Sequence, residues 1–188
     1  MSELKPAHSL GDIKTLGIKG TTASVNIAVR PVSALVQLFA KKSNEKQLMK
    51  KVGFATQSGS ADIKGDFTAL PVAPNQWILS SQSKSGPKFG DELSDQVQGI
   101  GYVSEQSDSR VCFRITGLDA RTLLSRGCRL DLHPSVTGAG FCAQTQMAGC
   151  GVLLHQVTDE PVYDLYVYSG FARFFWNWLS QCAKQFNK

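Results

Sequence analysis

The stretch from Arg121 to Thr145 constrains the fold most, because its conformational preference changes several times over a short distance. It begins with an amphipathic pattern that predicts a short helix, and Gly127 is placed to end that helix in the left-handed conformation. Leu130 to Pro134 alternates apolar and polar side chains and stops at a proline, which cannot donate to a sheet ladder. Phe141 to Thr145 starts a second extended segment. The stretch therefore predicts a compact unit of helix, strand, glycine loop and strand.

The C-terminal segment Ser169 to Phe186 has the clearest helical pattern, with Ser169 as its N-cap. Its predicted apolar stripe consists of Phe171, Phe174, Phe175, Trp178, Leu179, Cys182 and Phe186. Trp176 falls off the main apolar face, beside Trp178. Because aromatic residues are enriched at the centre of interfaces, Trp176 and Phe174 are candidates for contact with another chain.

The remaining pattern alternates short strands with short helices. The predicted strands are Ile13–Lys19, Ala23–Val29, Ala34–Ala40, Phe67–Leu70, Gln76–Ser80, Tyr102–Glu105, Val111–Thr116, Phe141–Val157 and Val162–Tyr168, and the helices are Glu45–Lys51 and Asp91–Gln98. The polar residues 106–109 predict an antiparallel hairpin between the strands that flank them. Mixed elements in this order indicate the α+β class.

A chain of 188 residues fits one domain or two small lobes with a shared core. We expect residues 1–10 to form a flexible arm and residues 11–188 to form a single domain. The Ser-, Gly- and Pro-rich loop 81–90 is the best internal boundary, which would divide the domain into lobes 11–85 and 86–188.

Charge and cysteine content narrow the function classes. The net charge of +5 comes largely from lysines between Lys41 and Lys64, a pattern typical of a solvated helix face. Because aromatic residues other than Phe39 and Phe54 do not interleave with these lysines, nucleic-acid binding is not predicted. Five cysteines without a CxxC pair, no signal-like apolar segment and no apolar run of membrane-spanning length predict a cytoplasmic chain with reduced thiols.

Five side chains could in principle carry metal or nucleophilic chemistry: Cys128, His133, Cys142, Cys150 and His155. Structural zinc sites draw their ligands as close pairs, which this set lacks, so buried core cysteines are predicted instead. A cysteine nucleophile, Cys142 or Cys150, would need one of the histidines as its base, and the spacing singles out neither pairing.

Asp131 and His133 could perform acid–base chemistry, but a conformational role is favoured. In that role the carboxylate accepts from neighbouring backbone N–H groups and His133 fixes the turn before Pro134. The chain also lacks the GxGxxG and Walker-type glycine patterns, so no dinucleotide or phosphate loop is predicted.

Three segments together resemble a known family: NQWILSS (75–81), VCFRITGLDARTLLSRGCRLDLHPSVTGAGFCAQTQMAGCGVLLHQV (111–157) and YDLYVYSGFARFFWNWL (163–179). They resemble the gamma subunits of heterotetrameric sarcosine oxidases and, more distantly, the small subunit of N-methylglutamate dehydrogenase. The resemblance rests above all on the Leu-Asp-Leu-His-Pro motif (130–134) followed by Cys-Ala-x-Thr (142–145).

The resemblance implies an α+β fold of two small ferredoxin-like lobes, with mixed or antiparallel sheets and packed helices, similar to the folate-binding domain of glycine-cleavage T-protein-like proteins. It implies a partnership with alpha, beta and delta subunits that demethylate sarcosine oxidatively to glycine, with hydrogen peroxide and either formaldehyde or 5,10-methylenetetrahydrofolate as further products. FAD, FMN, NAD, tetrahydrofolate and zinc would belong to those other subunits. The resemblance assigns no catalytic, cofactor-binding or metal-binding residue to this chain.

Candidate residues for the subunit interface are Arg121, Asp131, His133, Phe174 and Trp176. The alternatives are a subunit of a related N-methyl amino acid dehydrogenase and a free-standing folate-binding protein. In a folate pocket, Asp131 or Asp164 would bind the pterin ring, and Tyr166 or Phe141 would line it.

Overall fold

The computed structural model describes residue 10, residues 24–55 and residues 58–186 of the chain. The described strands are β1 (Asn26–Arg30), β2 (Ala34–Ala40), β3 (Asp62–Lys64), β4 (Phe67–Ala73), β5 (Gln76–Ser81), β6 (Gly101–Glu105), β7 (Arg110–Thr116), β8 (Cys142–Met147), β9 (Cys150–Thr158) and β10 (Val162–Tyr168). The described helices are α1 (Glu45–Val52), α2 (Gly86–Val97), α3 (Ala120–Ser125) and α4 (Ala172–Ala183). The fold is α+β, as the sequence predicts.

The strands form two antiparallel sheets of five strands each. The first sheet has the order β1-β7-β10-β9-β8, and the second has the order β3-β4-β5-β2-β6. β9 and β10 lie at or next to the centre of the first sheet and are almost entirely buried on both faces. This explains why they read in the sequence as nearly continuous apolar runs.

The two sheets face each other, and helices cover their outer faces. Alternate residues of β10 show this: Leu165 packs in the cluster that contains α3 and α4, whereas Tyr166 packs against the second sheet at Leu70 and Ile78. On the far side of the second sheet, residues such as Leu79 pack with α1 and α2. Because strand side chains alternate between faces, the result is four layers in the order helix, sheet, sheet, helix.

The helices largely follow their sequence signals. α1 ends at Gly53, which has φ 83°, the left-handed cap expected of glycine. α2 begins at Gly86, inside the loop that the sequence assigns as a boundary, because Pro87 is favourable in a first helical turn and Phe89 adds a buried position four residues before Leu93. None of the four described helices combines the length and apolar composition that a bilayer span requires.

The predicted hairpin between Tyr102–Glu105 and Val111–Thr116 is wrong. β6 pairs with β2 in the second sheet, whereas β7 pairs with β1 and β10 in the first. A short 3₁₀ turn at Ser107–Ser109 carries the chain from one sheet to the other, and the Gln106 N–H donates to the Leu35 carbonyl at 2.8 Å. Each sheet consequently contains a strand from either side of residue 85, so the sheets do not coincide with the predicted lobes.

Other boundaries also differ from the predictions. The segment Phe141–Val157 is not one interrupted strand but the hairpin β8–β9, whose turn residues Ala148 and Gly149 have positive φ angles of 51° and 80°. Leu130–Pro134 forms no strand. The predicted strand Ile13–Lys19 and residues 1–9 of the predicted arm lie outside the described residues, whereas Leu10 is buried in the core.

Candidate functional site

A cluster of buried polar side chains lies between the two sheets. Asp164 of β10 is its centre and is flanked in register by Arg114 of β7 and His155 of β9. Arg114 donates to the carboxylate in a two-pronged contact, Nε to Oδ1 at 2.7 Å and Nη2 to Oδ2 at 2.8 Å. Arg30 of β1 donates from Nη1 to Oδ2 at 2.9 Å. Charge-assisted bonds of this geometry fix three strands of the first sheet relative to one another.

The cluster opens to solvent only at its arginines. The Asp164 side chain is 1% exposed, whereas those of Arg30 and Arg114 are 15% and 35% exposed. The pKa of Arg114 is raised, chiefly because Asp164 accepts its hydrogen bonds. Two guanidinium groups against one carboxylate leave an excess positive charge, and the partial exposure of the arginines places that charge near water.

Two further groups in this layer, Tyr166 and Cys112, remain protonated at neutral pH. Burial is the main cause that raises the pKa of both groups well above their ordinary values. The Tyr166 hydroxyl also lies 3.4 Å from Arg30 Nη1, and it interacts with Ser80 of the second sheet. A phenol and a thiol in these states are packing and hydrogen-bonding groups rather than nucleophiles.

His155 is buried in the same layer, and neither of its ring nitrogens has a hydrogen-bond partner among the described residues. Burial lowers its pKa to about 4, a shift that Asp164 opposes and the two arginines reinforce. The imidazole is therefore neutral at pH 7.

Cys142 lies opposite His155 in the β8–β9 register, so the fold brings together one of the cysteine–histidine pairs that the sequence left open. Burial raises the pKa of the Cys142 thiol to about 12, and its Sγ lies 3.7 Å from the Pro71 carbonyl oxygen, to which it can donate. No hydrogen bond joins the thiol to His155 in the described structure. The arrangement does not produce a thiolate at neutral pH.

The other side chains that were considered as zinc ligands do not come together, and two of the cysteines lie on opposite faces of the first sheet. Cys150 packs on the helix side of the first sheet, whereas Cys142 packs between the sheets. Cys128 forms an isolated bridge to Met147, and His133 is exposed in a loop. Among the described residues, no group of three or more histidine, cysteine or acidic side chains is arranged to hold a metal ion.

Asp131 and His133 have the conformational role that the sequence favours. The His133 N–H donates to Asp131 Oδ1 at 2.9 Å. The His133 ring Nδ1 lies 2.7 Å from Ser135 Oγ and accepts from the Ser135 N–H at 3.2 Å. These contacts shape the turn through Pro134. Asp131 and His133, which the sequence analysis also names as candidate interface residues, are both exposed.

The remaining candidate interface residues differ in accessibility. Arg121 Nε donates to the Tyr163 hydroxyl at 3.0 Å, which ties α3 to β10. Phe174 is exposed. Trp176 does not lie off the apolar face as predicted: it is buried and stacks on Phe113, with ring centroids 6.1 Å apart. The interface role of this residue set stays a prediction. Because Trp176 is buried, it can only support such an interface from beneath and cannot contact a partner directly.

Two of the four residues considered for a folate pocket, Asp164 and Tyr166, are not accessible to a ligand. Asp164 is saturated by two arginines, and Tyr166 is fully buried. Asp131 already accepts from the backbone of its own turn.

Sequence reasoning missed Arg30 and Arg114, the cations that define the cluster. The signal is present in the printed sequence, because Arg114 interrupts an otherwise apolar strand, VCFRIT. A charged residue on a strand that is buried on both faces needs a partner of opposite charge, and Asp164 interrupts VYDLYVY in the same way.

A separate surface cavity of ≈ 280 Å³ lies between α2 and β6, on the helix side of the second sheet. It is lined by Pro87, Gly90, Asp91, Ser94, Val103 and Glu105. Glu105 uses Oε1 to accept from the Ser107 N–H at 2.8 Å. The cavity is acidic and shallow, and its lining includes no histidine, cysteine or basic side chain.

With this geometry established, comparison with known proteins identifies the family. The model of the sarcosine oxidase, gamma subunit family matches residues 62–185, which is well over half of the chain. The chain belongs to this family. No curated protein sequence gives a significant match.

Solved structures support the same fold. The chain is similar to a chain of the heterotetrameric sarcosine oxidase from Corynebacterium sp. U-96, in complex with pyrrole 2-carboxylate, at TM-score 0.79 and 21% identity, covering 92% of this chain and 89% of that one. It is also similar to the glycine cleavage system aminomethyltransferase T from Bartonella henselae, at TM-score 0.61 and 13% identity, covering 85% of this chain. The match spans 46% of the aminomethyltransferase chain, so the likeness concerns one portion of that protein.

Proposed function

We propose that this chain is the gamma subunit of a cytoplasmic heterotetrameric sarcosine oxidase and that it serves assembly rather than catalysis. The oxidase would demethylate sarcosine oxidatively to glycine, with hydrogen peroxide and either formaldehyde or 5,10-methylenetetrahydrofolate as further products. The family match over residues 62–185 is the observation that carries the proposal. The fold likeness to a chain of a heterotetrameric sarcosine oxidase, over nearly the full length of both chains, supports it.

The chemistry of the buried cluster favours a structural role. Asp164 is neutralised inside the chain, His155 is neutral at pH 7, and the thiols of Cys112 and Cys142 have raised pKa values. A general base or nucleophile needs a pKa near the working pH and access to the substrate. His155 and the two thiols are buried and lack such a pKa, and the Asp164 carboxylate is buried and occupied by two arginines, so the cluster is suited to holding the sheets together.

In this proposal the alpha, beta and delta subunits hold FAD, FMN, NAD, tetrahydrofolate and zinc. Between the sheets of this chain, the Asp164 carboxylate and its two arginines bind one another, so these side chains are not free to hold any of those cofactors. The gamma chain would stabilise the assembly by burying apolar surface against its partners, at ~25 cal/mol per Å² before association costs are subtracted.

Co-expression tests the proposal. The other three oxidase subunits are produced with and without this chain, and flavin absorbance, subunit content and sarcosine-dependent hydrogen peroxide formation are measured after purification. We expect a stable yellow enzyme only when this chain is present. A yellow, fully active and equally stable enzyme obtained without this chain would refute the assembly role. Flavin bound to the purified chain alone would refute the assignment of cofactors to its partners.

A further inference from the structure

The strand β6 lies at one edge of the second sheet, because among the described strands it pairs only with β2. Hydrogen-bonded and non-bonded residue pairs alternate along an antiparallel ladder. At one end of this ladder the Gln106 N–H donates to the Leu35 carbonyl at 2.8 Å, and at the other end the Lys41 N–H donates to the Ile100 carbonyl at 3.0 Å. These two bonds fix which backbone groups of β6 point toward β2 and which point away from it.

The backbone groups of Val103 and Glu105 point away from the sheet. Counting in steps of two from the bonded ends of the ladder, Tyr102 and Ser104 belong to bonded pairs, whereas Val103 and Glu105 belong to non-bonded ones. No described residue accepts a hydrogen bond from the Val103 or Glu105 N–H. An edge with free N–H and C=O groups is a template for pairing with another strand.

The same two residues line the ≈ 280 Å³ surface cavity, so the free edge and the cavity adjoin each other. Val103 and Glu105 form the β6 wall of the cavity. The opposite wall is one stripe of α2, at the helical spacing i, i+3, i+4 and i+7, and consists of Pro87, Gly90, Asp91 and Ser94. We call the free edge of Val103 and Glu105, together with this α2 stripe, the edge groove.

The edge groove lies on the flank of α2 that faces away from α1. Gln96 of α2 donates from Nε2 to the Lys51 carbonyl of α1 at 3.1 Å. At 3.6 residues per turn, Gln96 is on roughly the opposite side of α2 from the stripe that lines the cavity. The helix therefore forms a wall beside the free edge, and its contact with α1 leaves the groove side open.

The charge of the edge groove is negative. Asp91 and Glu105 are exposed and face the cavity from its two walls, and no basic side chain lines it. Lys88 is exposed on the same helix but is not part of the lining. Glu105 uses Oε1 to accept from the Ser107 N–H, whereas Asp91 has no hydrogen bond to a described residue. A lysine or arginine side chain that entered the cavity would form charge-assisted bonds with these carboxylates.

We propose that the edge groove binds an extended segment of another oxidase subunit, which adds a strand to β6 and places a lysine or arginine side chain in the cavity. This inference rests on the proposed function and adds the surface, the binding mode and the partner chemistry. When a strand is added to a sheet edge, main-chain hydrogen bonds provide affinity and pockets for alternate side chains provide specificity. The edge groove offers both on the same residues, Val103 and Glu105.

A second copy of this chain fits the groove less well. Symmetric pairing of β6 with itself would bring two acidic cavities together without a cation between them. None of the candidate interface residues from the sequence belongs to β6 or α2, so the edge groove is an additional surface.

Charge reversal in the cavity tests the partner chemistry. The oxidase is co-expressed with variants of the full-length chain, and the Kd of this chain for the other subunits is measured by dilution. Asp91→Lys should raise the Kd at least about tenfold, because it places a cation where the cation of the partner binds. The matched control is Asp95→Lys, which makes the same charge change at an exposed position of α2 outside the cavity and should have little effect.

Proline in the edge strand tests the binding mode. Val103→Pro removes an outward N–H without removing a bond between β6 and β2, and it should also raise the Kd at least about tenfold. Val103→Ala is its control, since it shortens the side chain and keeps the N–H. Circular dichroism and thermal denaturation establish that each variant is folded. If Val103→Pro does not fold, Asp91→Lys and the exchange measurement below decide the question.

Hydrogen–deuterium exchange of the wild-type chain, resolved to single amides, requires no substitution. In the isolated chain the Val103 and Glu105 amides should exchange faster than those of Tyr102 and Ser104, which bond to β2. In the assembled oxidase the exchange of the Val103 and Glu105 amides should slow at least about tenfold.

The outcomes separate this inference from the proposed function. If the wild-type chain does not assemble with the other subunits, the proposed function fails and the inference fails with it. If it assembles while the Val103 and Glu105 amides stay unprotected, or if Asp91→Lys assembles as well as the wild type, only the edge groove is refuted. An equal loss in Asp95→Lys would also refute the role of the cavity. Protection of these amides by self-association of the isolated chain would assign the edge to a second copy and overturn the inference.

Discussion

Replacing Asp164 by asparagine should destabilise the protein substantially, because it removes the anion that neutralises two arginines between the sheets. Three hydrogen bonds end on this carboxylate, at 2.7, 2.8 and 2.9 Å. Removing one partner of a buried ion pair typically costs roughly 3–5 kcal/mol. The Arg114 side chain is 35% exposed and regains water, so the lower end of that range applies.

We therefore expect Asp164→Asn to lower the free energy of unfolding by about 3 kcal/mol, a large part of the ~5–15 kcal/mol typical of a domain. For a chain of this size, such a loss corresponds to a decrease in Tm of about 6–12 °C. Urea and thermal denaturation of the full-length chain, followed by tryptophan fluorescence, measure both quantities. Glu92→Gln is the control, since Glu92 forms an exposed ion pair with Lys84 and should change stability very little.

A second variant tests the same reasoning from the opposite direction. Arg30→Met/Arg114→Met/Asp164→Leu removes all three charges at once and should recover most of the stability that Asp164→Asn loses, because no unpaired buried charge remains. If Asp164→Asn costs less than about 1 kcal/mol, an ordinary surface effect, the cluster does not hold the sheets in the way described. The same conclusion follows if the triple variant is far less stable than Asp164→Asn.

Three further predictions concern single positions. Burial lowers the pKa of His155 to about 4 from the ordinary 6.5, so at pH values between these two the unfolded chain binds a proton there that the folded chain does not. The contribution of this neutral histidine to the free energy of unfolding should be complete above pH 6.5 and fall on the order of 3 kcal/mol between pH 6.5 and 4. His155→Leu should flatten this part of a Tm-versus-pH profile. Gly127→Ala should lower Tm, at a cost of about 1–3 kcal/mol, because its new Cβ would lie 2.5 Å from Trp178 Cζ2. The Cys142 thiol, with a pKa of about 12, should resist iodoacetamide at pH 8 in the folded protein and react after unfolding in guanidinium, as peptide mass spectrometry would show.

Each of these has a matched control or a contrary result. Gly151→Ala is the control for Gly127→Ala, since nothing lies within 4 Å of its Cβ position and Tm should not change. Equal effects of the two alanine variants would contradict the role assigned to Trp178. An undiminished pH dependence in His155→Leu would place the acid sensitivity elsewhere. Rapid alkylation of Cys142 in the folded protein would contradict its burial.

The sequence predicted best those segments in which local pattern and tertiary packing agree. Val162–Tyr168 is a strand with the predicted bounds, because β-branched and aromatic residues fill a position that is buried on both faces. The helical pattern near the C-terminus is also correct, although α4 begins at Ala172 after a 3₁₀ turn. Ser169 therefore starts that turn and does not cap the α-helix.

Predictions that depended on distant contacts failed. Gly127 was expected to end α3 in a left-handed conformation, but it has no positive φ, and its position is tight because Trp178 of α4 packs on it. Leu130–Pro134 has strand-like alternation, yet it forms a loop shaped by the hydrogen bonds of Asp131. The local sequence pattern around Gly127 contains no information about its contact with the Trp178 ring, which is distant along the chain.

The buried cluster around Asp164 could not be predicted from the sequence for a related reason. Its members are single polar residues on β1, β7, β9 and β10, and only the register of the first sheet brings them side by side. A hairpin was predicted for β6 and β7, and that pairing would have placed Arg114 in a different sheet environment. Without the order of the strands, an arginine in one strand cannot be assigned to an aspartate in another.

The exchange of strands between the sheets has a consequence for synthesis. β1 is made early, but the strand it pairs with is complete only when residue 116 has been added, and the edge of β2 that pairs with β6 stays open until residue 105. Pairings between segments so far apart form slowly, and an unpaired edge is prone to aggregate while it waits. The nascent polypeptide should therefore complete both sheets only late in synthesis, which makes a chaperone or an already folded partner most useful before translation ends.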